Sequence, residues 1–124
     1  PRVVAILDWE LSTIGHPLAD FGYYLLAWRM PALAVTGLLG QDLAALGIPS
    51  EAECVALYCE RTGRSGIDDL DFHAAFNMLR LAAICHGIRG RAQRGTAVSA
   101  RAREYAAAVE RLAELAWAQT ERLR

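Results

Sequence analysis

The spacing of apolar and polar residues changes period once along this chain, and the change falls just after residue 10. Val3, Val4, Ala5, Ile6 and Leu7 form an unbroken apolar, largely β-branched run, the pattern of a short buried strand, with Asp8 and Glu10 where that strand would end. From Pro17 onward the spacing is helical. Leu18, Phe21, Tyr24, Leu25 and Trp28 recur at three- and four-residue steps. Pro17 suits the first turn of such a helix and Pro31 its stop. Residues 31–49 hold Pro31, Gly37, Gly40, Gly47 and Pro49, which predicts a loop with at most one helical turn around Asp42 to Leu46.

Ser50 and Glu53 have the spacing of a capping box, so a second helix should run from there to Arg61 or Thr62, with Gly63 as its end. Asp68 or Asp69 then opens a long helix to about Arg94, with Phe72, Phe76, Leu79, Ala83 and His86 along one face and Gly95 closing it. A final helix is predicted from about Val98 to Leu123. Its stripe is Val98, Ala102, Tyr105, Val109, Leu112 and Ala116, and its length would be about 38 Å. The expected fold is mainly α, four helices behind one leading β-strand. An unpaired apolar strand invites association, so it is expected to pair with a second copy or with a hairpin elsewhere in a longer chain.

Composition narrows the picture. The chain has 124 residues, 54% of them apolar, and a formal charge of −1. One real core is affordable, and no global field favours nucleic acid or a membrane surface. No stretch has the length of a membrane span, which gives the expectation of a soluble, cytoplasmic protein. Cys54, Cys59 and Cys85 are odd in number and lie in apolar helical patterns, as reduced core residues do. Neither they nor His73 and His86 have ligand spacing. Arg80, Arg89, Arg91, Arg94, Arg101 and Arg103 gather in one stretch. They could meet a phosphorylated substrate or coenzyme A, but a solvated helix face is the favoured reading.

Asp8 carries the chemistry. A carboxylate at the mouth of a strand is held yet open to solvent, which suits Mg²⁺, a hard cation that binds one or two carboxylates together with substrate phosphates and water. Leu7-Asp8-Trp9-Glu10, a spacer, then Gly15-His16-Pro17-Leu18-Ala19-Asp20 resembles the metal-binding segment of the aminoglycoside phosphotransferases, a family similar to the protein kinases in its catalytic core. The wider stretch resembles a branch found beside acyl-CoA dehydrogenases, through Asp42 to Pro49, Tyr58-Cys59, Arg61 to Arg64 and Phe76 to Ile84. His16 stands where the family usually has an aspartate.

The resemblance implies a kinase-like lobe in which Asp8 holds the Mg²⁺ ions bridging the phosphates of ATP. It makes Asp20 an organiser of the catalytic loop and Glu10 a carboxylate near the metal or on the substrate side. Other parts of such an enzyme are missing from the sequence. It has no lysine, no glycine-rich phosphate loop, and one asparagine, Asn77, with no His-x-Asp segment ahead of it. Pro1 stands two residues before the apolar run, with no initiating Met. These features predict the C-terminal lobe of a longer phosphotransferase, spanning residues 1–124 and inactive alone. The acceptor would be a small-molecule hydroxyl, of aminoglycoside or hydroxyacyl-CoA type. No nucleic-acid or membrane partner is expected, and a homodimer through the exposed strand or helices is conceivable. The competing expectation is a helical interaction module without catalysis, in which Asp8 to Glu10 is a polar turn.

Overall fold

The computed structural model describes residues 2–32 and 37–123. They contain five α-helices: α1 (Pro17–Arg29), α2 (Glu51–Thr62), α3 (Leu70–Gln93), α4 (Ala102–Ala107) and α5 (Val109–Thr120), with short 3₁₀ turns at Trp9–Leu11 and Glu121–Leu123. The boundaries have local causes. Pro17 takes the first position of α1, where its missing N–H is no loss. At α2, Ser50 Oγ accepts from the Glu53 amide at 3.2 Å while Glu53 Oε2 accepts from the Ser50 amide at 2.8 Å. Two otherwise unpaired N–H groups are thereby satisfied. Gly63 ends α2 in the left-handed region at φ 69°, a conformation that costs other residues strain. In the preceding connection, the Leu46 amide donates to Asp42 O at 3.2 Å, which is the single turn the loop composition allowed.

α3 is the central element, packing against α1 on one side and against α4 and α5 on the other. Leu26 and Met30 from α1 and its end, Met78, Leu81, Ala82 and Cys85 from α3, and Val109, Leu112 and Ala116 from α5 make one cluster. Leu112 is fully buried, and each large apolar side chain hidden this way contributes about 1.5–3 kcal/mol. All three cysteines are buried and free. α2 meets α1 through Phe21, whose ring stacks on Tyr58 at 3.9 Å.

Three expectations fail. The leading β-strand is absent: residues 2–8 are irregular, and Val3 and Val4 are 82% and 84% exposed. β-branched composition does not make a strand without a ladder partner, and none stands beside this run among the described residues. The predicted face of α3 also turns out to be the outer one. Phe72, Phe76, Leu79, Ala83 and His86 are exposed, whereas Ala74, Ala75, Asn77, Met78, Leu81, Ala82 and Cys85 are buried. α3 is apolar on more than one side, so spacing permits two registers. Small residues on the buried side let α1 and α5 approach closely. The outer face forms, with Trp117 and Leu123, a groove of about 370 Å³.

The final helix is divided at Ala108, whose amide bonds Tyr105 O at 3.2 Å in a tighter turn. Val98 lies before it, exposed. Ala102, Val109, Leu112 and Ala116 keep the predicted stripe. No helix among the described residues is long and apolar enough to cross a membrane.

Candidate functional site

Asp8 stands at the head of the 3₁₀ turn with φ 61° and ψ 36°. It has the sole positive φ outside glycine among the described residues. Asp and Asn tolerate this left-handed conformation better than other residues, and it recurs where function holds a backbone in strain. Its consequence is an abrupt change of direction that leaves the Asp8 side chain exposed. Ser12 closes the turn, its amide and Oγ donating to Trp9 O at 3.1 and 2.7 Å. Glu10 lies within that turn and is exposed as well. Asp20 is placed apart, exposed in the first turn of α1, beyond the loop of residues 12–16. Two of the three predicted carboxylates therefore share a turn, and the third stands on the helix that follows it.

Hard oxygen donors are what Mg²⁺ requires, and the exposed carboxylates of Asp8 and Glu10 are of that chemical kind. Among the described residues no group of three or more His, Cys, Asp or Glu could hold a metal ion. A cation of this kind takes one or two protein carboxylates and completes its shell with water and phosphate oxygens. The residues fit that limited share.

The first turn of α1 has a firm backing. His16, which precedes Pro17, stacks on His73 of α3 with ring centroids 5.4 Å apart and planes within 8°. Burial, then the neighbouring His16, push the His73 pKa down, with Asp69 acting in the opposite sense. Asn77 Nδ2 donates to Ala19 O and to His73 O, both at 2.9 Å. Gly22 permits this closeness, since a Cβ there would lie 2.8 Å from His73 Cβ. Sequence reasoning treated Asn77 only as a misplaced asparagine and missed its contact with α1. The available signals were a lone amide on an apolar helical face and a glycine in mid-helix one turn after Pro17.

At its other end α1 is tied by charge. Arg29 Nε donates to Glu51 Oε1 at 2.7 Å, Arg29 Nη1 pairs with Asp71, and Gln119 Nε2 donates to Asp71 Oδ1 at 2.9 Å. Burial opposes the charged form of Arg29, but the hydrogen bonds it donates to Glu51 and Asp71 more than offset it and raise the pKa. The basic stretch does not act as one patch. Arg80 lies over the Tyr23 ring, Arg89 pairs with Glu110, and Arg101 pairs with Glu104.

The sequence has known relatives. Residues 1–58 match the model of the phosphotransferase enzyme family. The chain is 43% identical over 118 residues to mouse acyl-CoA dehydrogenase family member 10, and 36% identical over 114 residues to human acyl-CoA dehydrogenase family member 11. These alignments take in 94% and 91% of the chain but 11% and 15% of the relatives, so it spans a small part of their length. A crystal structure from Ralstonia eutropha JMP134, provisionally assigned as an aminoglycoside phosphotransferase, superposes with a TM-score of 0.88 at 45% identity. That match covers 98% of this chain and 37% of the other. With residues 7–20 lying inside the family-matched stretch and the helices superposing, the chain matches the phosphotransferase enzyme family over residues 1–58 and forms a helical lobe of a kinase-like fold.

Proposed function

We propose that this chain supplies the metal-binding and substrate-side part of a phosphotransferase that uses ATP and Mg²⁺ to phosphorylate a small-molecule hydroxyl. The observation that carries the proposal is the left-handed backbone at Asp8, which presents an exposed carboxylate immediately ahead of α1 within the family-matched residues. Asp8 grips the cation, Glu10 lies beside it on the substrate side, and Asp20 accepts hydrogen bonds from the backbone of the catalytic loop. Bound there, Mg²⁺ would neutralise charge on the transferred phosphoryl group. The proposed acceptor is a hydroxylated metabolite of aminoglycoside or hydroxyacyl-CoA type, the latter favoured by the names of the acyl-CoA dehydrogenase relatives. The 124 residues alone are proposed to be inactive, because they include no lysine for the phosphates and the amide of their one asparagine is engaged by the Ala19 carbonyl. The proposed setting is cytoplasmic.

The test is Asp8→Asn in the protein as its gene encodes it. Loss of the anionic ligand should cut turnover by at least about a hundredfold and raise the Mg²⁺ concentration needed for half-maximal rate. Near-normal turnover would overturn the assignment and favour the non-catalytic helical module.

A further inference from the structure

We infer that Asn77 is a positioning residue for phosphoryl transfer, acting by fixing the first turn of α1 and, through it, the direction of Asp20. The inference rests on the phosphotransferase reading above. Three contacts carry it, all between α3 and the start of α1. His73 stacks on His16, Asn77 Nδ2 bonds Ala19 O at 2.9 Å, and Gly22 lies so close that an added Cβ would fall 3.1 Å from Asn77 Nδ2. Positions 16, 19 and 22 recur every three residues, so one side of α1 is gripped. Asp20, on another side, remains exposed.

A packing role alone explains Asn77 poorly. Ala74, Met78 and Leu81 around it on α3 are buried and apolar, and Asn77 itself is 0% exposed. Its Oδ1 is buried with no hydrogen-bond partner among the described residues, a penalty that an apolar side chain would not incur. What the amide gains for that penalty is a bond to the carbonyl of the residue next to Asp20. A carbonyl in the first turn already has its helical acceptor role, so the extra donor sets where that turn sits against α3 rather than whether it forms.

The test uses Asn77→Leu in the gene-encoded protein, because leucine keeps the branched shape, removes the donor and removes the unpaired oxygen. Thermal stability should hold or rise. If Asn77 positions the turn, kcat should fall about tenfold to hundredfold while the KM for ATP stays within about twofold, the cost expected of slight misplacement. Amide hydrogen exchange at residues 19–23 should also quicken, with α5 unchanged. Asn77→Asp gives a second, independent variant: its acid form can donate and its ionised form cannot, so its kcat should recover toward low pH, whereas Asn77→Leu should show no such recovery. Wild-type kcat in Asn77→Leu, with or without faster exchange, would overturn the inference. If the wild-type protein transfers no phosphate, the phosphotransferase reading fails separately, and unchanged exchange at residues 19–23 would still overturn the grip on α1.

Discussion

The two ends of α1 are secured by different means. At the C-terminal end, Arg29 is 11% exposed in its side chain and reaches Glu51 at the start of α2 and Asp71 at the start of α3, while Gln119 of α5 shares Asp71. Trp28 Nε1 adds a bond to Pro49 O at 2.8 Å. At the N-terminal end no ion pair to α3 occurs among the described residues; a ring stack, an amide bond and a glycine contact hold that end. The first arrangement joins several helices and opposes unfolding. The second adjusts the placement of one turn beside the Asp8 loop. Substitutions at the two ends should therefore separate stability from turnover.

The largest stability effect is expected at the charged end. Arg29→Ala leaves Glu51 and Asp71 half-buried without their cation, which should cost about 2–3 kcal/mol in urea unfolding. Comparable losses of stability and of kcat in the surviving folded protein would break the proposed separation. A smaller effect is expected at α2, next to the same knot. Ser50→Ala removes one half of the capping box and should cost about 1 kcal/mol, measured as a lowered urea midpoint with an unchanged slope. Because Glu53 is held below its ordinary value of 4.5 by the Ser50 amide, the part of this stability linked to Glu53 is present above that value and is lost as pH falls through the folded one.

The smallest effect belongs to the N-terminal end. The folded pKa of His73 is depressed from 6.5, so the unfolded chain takes up its proton first as pH falls. The His73 contribution is complete above about 6.5 and is lost as pH drops through the folded value. Unfolding His73→Phe and wild type at about pH 7.5 and about pH 5.5 should show a weaker acid loss in the variant. An identical loss would mean that the burial of His73, with His16 beside it, carries no acid-linked stability.

Much of the helical scaffold was legible because its signals are local. Pro17, the Ser50–Glu53 pair, Gly63 and Gly95 each mark a boundary by their own backbone chemistry. What could not be read depended on partners. The run from Val3 to Leu7 has strand composition, but pairing is decided by another segment. Phe72, Phe76 and Leu79 outweigh Ala74, Ala75 and Ala82 in hydrophobicity, yet the alanines are inside because close helix approach needs small side chains. At the candidate site, Asp8, Glu10 and Asp20 were visible as residue types in a recognised spacing. The Asn77 bond to Ala19 spans 58 positions, a distance no window-based pattern reaches.

The central place of α3 also bears on how a ribosome would make this protein. Synthesis runs from the N-terminus, so α1 emerges well before the helix it packs against. Leu26 and Met30 stay wetted until Met78 and Leu81 are available, and the fully enclosed Leu112 arrives later still. During that interval the nascent chain carries a sticky, unfinished surface, the condition in which chaperone capture competes with docking.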